Sequence, residues 1–235
     1  MTDHDKQLEE LMEAASQPLH PDLVAHVQQR GDMTWIHHPL VIFPMYSDAM
    51  SGFANEQYER KLTAVARAFE EKDWHTFVYL RERPYRLDAF GEIQRHLADE
   101  DYWELLASIW TDSDNIREQK DEWRWMLDEN RDPTLRHLLM TEWEREALAA
   151  MPESFPVYRG YSHVDAAKGL SWTVDRERGL WFARRFASET KTPMLALGTI
   201  SRGDVIAFFT GRGENEIVAL PELVSAVSIE ELPQP

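Results

Sequence analysis

The sequence predicts an α+β protein, with a mostly α-helical domain over residues 1–150 followed by a β-rich domain over residues 151–235. Two observations carry this. Residues 1–150 hold 16 Lys+Arg against 31 Asp+Glu and only three of the ten glycines, whereas residues 151–235 hold 9 against 11 and the other seven glycines. Apolar residues also recur at helical spacing before Ala150, then fall into short runs divided by Gly-rich turns after it.

Element by element, Asp3–Ser16 reads as a short amphipathic helix with Leu8, Leu11 and Met12 on one side. Pro21–Arg30 reads as a second, with proline in its first turn. Thr34–Tyr46, interrupted by Pro39 and Pro44, does not read as helix, and neither does Trp74–Leu80. Asn55–Lys72 places Leu62, Val65, Ala66 and Phe69 at helical spacing, and Asp88–Trp110 does the same with Phe90, Ile93, Leu97, Leu105, Leu106 and Ile109. Ser113–Leu127 and Asp132–Ala150 complete the helical set; the latter opens Asp-Pro-Thr, an N-cap followed by proline at the first helical position. Beyond Ala150, strands are expected at Phe155–Tyr161, Gly169–Val174, Met194–Ile200, Asp204–Phe209, Glu216–Leu220 and Leu223–Ile229. One helix, Asp175–Ser188, interrupts them.

Composition removes several classes of function. The chain has no cysteine, so disulfides, thiolate metal sites and cysteine nucleophiles are ruled out. A net charge of −17 argues against broad, non-specific nucleic-acid binding, although it leaves room for a local basic patch. The apolar clusters Leu40–Phe43 and Ile206–Phe209 are too short to span a bilayer, and residues 1–16 lack the basic start and apolar stretch of a signal peptide. The expected location is the cytoplasm, of the producing cell or of a host cell, with no membrane partner. The histidines His20, His26, His37, His38, His75, His96 and His137 show no helical i,i+4 pairing with a carboxylate and read as scattered surface and helix-end residues rather than metal ligands. Trp103, Trp110, Trp123 and Trp125 lie in helical apolar patterns and read as core.

Three short pieces of the C-terminal domain carry chemistry. In Val157-Tyr158-Arg159-Gly160-Tyr161 an arginine ends an apolar strand before a glycine. Such an arginine either grips a phosphate through its planar fork or forms a strand-end salt bridge. In Gly169-Leu170-Ser171-Trp172-Thr173, strand alternation puts Ser171 and Thr173 on one face, which is either a polar tether or ordinary strand composition. In Gly211-Arg212-Gly213-Glu214-Asn215-Glu216, a Gly-rich turn leads into a strand whose first same-face residues are Glu214 and Glu216. Paired carboxylates suit acid/base work or stabilisation of an oxocarbenium ion; the plain alternative is a solvated strand edge.

Taken in order, these pieces resemble the mono-ADP-ribosyltransferases of the Arg–Ser–Glu class, the arginine-specific, toxin-like group. The matching residues are Tyr158-Arg159-Gly160, Ser171-Trp172-Thr173 and Glu214-Asn215-Glu216, within residues 155–229. The sequence departs from the family pattern in having Trp172 inside the Ser-x-Thr motif and Thr173 in place of a second serine. The resemblance implies a split-sheet fold that binds NAD as co-substrate, needs no metal, and transfers ADP-ribose to a macromolecule with release of nicotinamide. It assigns Glu216 to the developing ribose cation, Glu214 to the incoming nucleophile, Arg159 and Gly160 to the phosphate and ribose side of NAD, and Ser171 with Trp172 and Thr173 to the strand that tethers it. Phe182 is the aromatic expected against the nicotinamide, ahead of Trp181 and Phe186.

The Glu-x-Glu pattern implies a protein arginine as acceptor, with nucleic acid as the second class. Hydrolysis of NAD by the same site, and a binding protein that keeps the fold without turnover, stay open. Arg176, Arg178, Arg184 and Arg185 read either as an anion-binding cluster or as a charged helix face. The helical domain carries no motif of its own, and its expected role is to bind the target or a regulator.

Overall fold

In the computed structural model the chain is a mixture of helices and antiparallel sheets, described over residues 17–114, 116–162, 164–185, 187–188 and 191–233. The helix expected at Asp3–Ser16 lies outside the described residues. The chain divides into two compact units between His96 and Leu97, so the helices of residues 97–150 pack in the same unit as the C-terminal sheet, although composition changes near residue 150.

The first unit begins with α1 (Pro21–Val24), capped by the His20 ring, which accepts from the Asp22 amide at 3.2 Å. The expected helix at Pro21–Arg30 stops there. Val27–Arg30 is instead strand β1, the edge of an antiparallel meander with β2 (Met33–His38) and β3 (Val41–Phe43). Gly31 (φ 62°) makes the tight turn that sets Arg30 opposite Met33. The N-terminal region is therefore less purely helical than its composition suggests. Helix α2 (Ser51–Glu70) buries Ala54, Tyr58, Val65 and Ala68. Trp74–Tyr79, expected to be non-helical, forms α3: the Asp73 carboxylate accepts from the Thr76 amide at 3.1 Å, and burial of Phe77 and Val78 repays the poor helix propensity of aromatic and β-branched residues. Helix α4 (Arg86–Ile93) buries Leu87, Ala89, Phe90 and Ile93. The single helix expected over Asp88–Trp110 is broken by a 3₁₀ turn at Gln94–His96.

The second unit opens with α5 (Asp99–Asp112), whose Tyr102, Trp103, Leu106, Ile109 and Trp110 are almost wholly buried. Of the expected helix Ser113–Leu127, only α6 (Lys120–Arg124) is α-helical, continued by a π-helical turn at Trp125–Glu129. Trp123 is core as expected, but Trp125 is 39% exposed. Asp132 does cap a helix with Pro133 at its start, but that segment, Pro133–Leu139, is 3₁₀; a fresh capping box at Thr141 and Glu144 then starts α7 (Glu142–Ala149).

The strands are β4 (Ser154–Tyr161), β5 (Ser171–Thr173), β6 (Met194–Ser201), β7 (Ala207–Phe209), β8 (Glu216–Val218) and β9 (Ser225–Glu231), with α8 (Arg176–Arg185) between β5 and β6. They form one sheet in the order β7-β8-β5-β4-β6-β9, every neighbouring pair antiparallel. Pairing is uneven across it. β4 runs with β6 along its whole length, from Ser154 opposite Ser201 to Tyr161 opposite Met194, but meets β5 only where Tyr158 faces Thr173. Beyond that point β4 and β5 part. Helix α8 lies directly on β4: a Cβ at Gly160 would overlap the Gly179 carbonyl and the Ala183 amide nitrogen. Asp175 caps α8 by accepting from the Glu177 amide at 2.9 Å.

Candidate functional site

A cavity of about 400 Å³ opens where β4 and β5 part, and Arg159, Ser171, Thr173, Phe182, Glu214 and Glu216 all line it. These residues come from three strands, a helix and the turn before β8. Gly160 and Trp172 line it as well.

Arg159 bridges the opening. Its Nε donates to the Ala166 carbonyl at 2.8 Å and its Nη1 donates to the Ser171 carbonyl, so the guanidinium takes the place of ladder hydrogen bonds that β4 and β5 do not make. Gly169 leaves room for it, since a Cβ there would overlap the guanidinium. Burial pushes the Arg159 side chain down to about 10, and the Glu216 carboxylate opposes that drop. Two of its five N–H donors thus hold the site's own backbone.

Glu216 is buried on β8, opposite Thr173 of β5 and Phe209 of β7. Its Oε1 accepts from the Ser171 hydroxyl, a diagonal pair across β5 and β8, and its Oε2 accepts from the Trp110 indole Nε1 at 3.1 Å. A buried carboxylate is costly unless charge-assisted hydrogen bonds compensate, and here each oxygen has a neutral donor.

Thr173 shares a face with Ser171 but serves the backbone: its hydroxyl donates to the Glu214 carbonyl at 2.7 Å and accepts from the Asp175 amide at 3.1 Å. It thereby ties the acidic turn to the start of α8. Trp172 is buried, its indole N–H donating to the Gly169 carbonyl at 3.1 Å, and it helps hold the Gly169 approach to Arg159. Phe182 is half-buried on the cavity wall, whereas Trp181 is 43% exposed; Phe186 lies outside the described residues.

Glu214 differs from the strand geometry expected of it. It follows the 3₁₀ turn Gly211–Gly213, and Asn215 adopts φ 45°, a left-handed conformation that asparagine tolerates. The pair is therefore not the i,i+2 pair of one strand, although both carboxylates reach the same cavity. Arg178 of α8 donates to Glu214 Oε1 at 3.2 Å, and its guanidinium lies 4.4 Å from the Trp181 ring centroid. Arg176 pairs with Glu230 at 2.8 Å and Arg185 stacks on Trp181, so three of the four arginines of α8 already engage the protein.

Sequence reasoning missed two members of the site. Trp110 was legible only as core. Tyr161, two residues after Arg159, also lines the cavity; its hydroxyl is buried without a hydrogen-bond partner among the described residues, and burial raises it above the usual phenol range. Asp114, Ile116, Arg117 and Glu118, in the segment after α5, complete one wall. Among the described residues no group of three or more His, Asp or Glu side chains could hold a metal ion, and no helix is long and apolar enough to cross a membrane.

No family model, no curated protein and no solved structure matches the chain.

Proposed function

We propose that this protein is an NAD-dependent mono-ADP-ribosyltransferase, with its catalytic site in the cavity between β4 and β5. The observation that carries this reading is the meeting of Arg159, Ser171 and Glu216 at a parted sheet, with Glu216 buried and hydrogen-bonded through both carboxylate oxygens. A cavity of about 400 Å³ falls in the range that takes nucleotide-sized ligands.

The chemistry follows from the groups. The bond between nicotinamide and the ribose C1′ breaks, its electron pair leaves with the now neutral nicotinamide, and positive charge builds on the ribose. Glu216 stabilises that charge as a fixed, dehydrated carboxylate. A nucleophile then bonds to C1′ and gives up its proton, which the family pattern assigns to Glu214. Arg159 keeps β4 and β5 at the separation that admits NAD. Tyr161 offers a buried hydroxyl to the ligand, and Phe182 offers a ring face to the nicotinamide.

The favoured acceptor is a protein arginine, with nucleic acid as the second class. One observation favours NAD hydrolysis as the runner-up: Arg178 already engages Glu214, the carboxylate that would otherwise receive an acceptor guanidinium. The two separate in one experiment. Full-length protein and Glu216→Ala are incubated with adenylate-labelled NAD and cell extract. Label on protein or nucleic acid that disappears in the variant supports transfer and identifies the acceptor. Free ADP-ribose without labelled macromolecule supports hydrolysis. NAD left intact by the unaltered protein overturns both.

A further inference from the structure

We infer that Trp110 is a positioning residue for the candidate site, its indole N–H fixing the orientation of the Glu216 carboxylate from a helix that lies outside the motif-bearing residues. The inference rests on the transferase reading above for its catalytic consequence, and on geometry alone for the contact.

Trp110 sits near the end of α5, 106 residues before Glu216, and donates to Glu216 Oε2 at 3.1 Å. Both residues are buried, at 1% and 7% relative exposure. Burial alone does not oblige an indole to find a partner in this protein. Trp103 and Trp123 are equally buried, and their Nε1 groups have none among the described residues. What distinguishes Trp110 is that its N–H meets a carboxylate.

The donor types on the two oxygens differ in a way that matters. The Ser171 hydroxyl rotates, and it can accept as well as donate. An indole N–H only donates, cannot rotate independently of its ring and cannot be deprotonated in the working range. The ring itself is held, since Trp123 packs edge-on against it at 4.9 Å between centroids and 81° between planes. A glutamate's terminal torsion is broad and soft. A rotatable hydroxyl constrains that torsion weakly, whereas a rigid donor on the opposite oxygen sets the carboxylate plane. Pre-set orientation counts in catalysis because a carboxylate that must reorganise as charge develops loses part of its stabilising effect. Trp110 therefore gives the helices of residues 97–150 a direct part in the site, beyond that of a scaffold or a target-binding arm.

The test uses the full chain. Trp110→Phe keeps an aromatic ring against Trp123 and removes the N–H. The expected result is a fall in kcat for nicotinamide release of about 10- to 100-fold, the usual worth of a hydrogen bond to a charged group. KM for NAD stays within about twofold, because Trp110 reaches NAD only through Glu216. A purely structural role would instead lower the folded fraction and leave kcat per folded molecule intact. A second measurement works even where Trp110→Phe does not fold. In protein labelled with ¹⁵N-tryptophan, the Trp110 indole N–H is protected from exchange, and it shifts and loses protection in Glu216→Ala.

Unchanged kcat in folded Trp110→Phe, or an indole resonance indifferent to Glu216→Ala, overturns the inference. A resonance that responds to Glu216→Ala in a protein that leaves NAD intact overturns the transferase reading, and the catalytic role with it, while the contact stands.

Discussion

Ser171 on β5 donates its hydroxyl to Glu216 on β8, a diagonal contact between neighbouring strands that ties a short polar strand to the buried carboxylate of the cavity. Ser171→Ala removes that donor and leaves the Trp110 contact in place. Because the lost bond is to a charged acceptor, kcat/KM for NAD should fall about 10- to 100-fold. The same loss leaves one oxygen of a buried carboxylate without its hydroxyl donor, so the melting temperature should also fall, by a few degrees. Steady-state release of nicotinamide, read beside a thermal melt, checks both halves.

Tyr161 makes the opposite kind of prediction. Its buried hydroxyl has no partner among the described residues, so Tyr161→Phe removes an unsatisfied polar group and should leave stability equal or slightly higher. If a bound ligand satisfies that hydroxyl, NAD should stabilise Tyr161→Phe less than it stabilises the unaltered protein. Thermal shift with and without NAD measures this. An identical NAD shift in the two proteins would remove Tyr161 from the site.

In the first unit, the histidine rings are less scattered than their spacing suggests. His26 and His38 meet edge-to-face at 4.6 Å, and the His38 and Tyr58 ring centroids lie 5.1 Å apart. His38 Nδ1 accepts from the Leu40 amide at 3.0 Å, which requires the neutral ring. Burial, then His26, pushes His38 from 6.5 down to about 4, with His20 adding to the drop and Asp22 opposing it. The unfolded chain takes up this proton near pH 6.5 and the folded chain only near pH 4. Between those values the unfolded state binds more protons, so stability falls as pH falls through that window. His38→Asn keeps an acceptor for Leu40 without a titrating group, and its melting temperature should fall less as the pH drops from 6.5 toward about 4.

Much of this was legible because it depends on local rules. Alternation and Gly-rich turns located the strands of the C-terminal sheet, and Asp132 marked its helix start by capping chemistry. Arg159, Ser171 and Glu216 could be grouped from sequence because each sits in a short motif of its own. The failures share a different cause. Val27–Arg30 is an exposed edge strand whose Gln28 and Gln29 give no apolar alternation to read. Trp74–Tyr79 has strand-like composition, and tertiary burial with one cap overrides it. Glu214 was placed by assuming an unbroken strand, which the left-handed Asn215 interrupts. Trp110 looks like any core tryptophan, since its apolar ring satisfies the helical pattern and its single N–H leaves no mark on spacing.

The most direct measurement is nicotinamide release from NAD by the purified full-length protein, with and without a small guanidinium compound as acceptor, beside Glu216→Ala. The expected result is release by the unaltered protein that falls at least about 100-fold in the variant, with NAD still bound, as loss of a principal electrostatic stabiliser demands. Equal release by the two proteins, or none from either, would contradict the assignment of Glu216 and the transferase reading built on it.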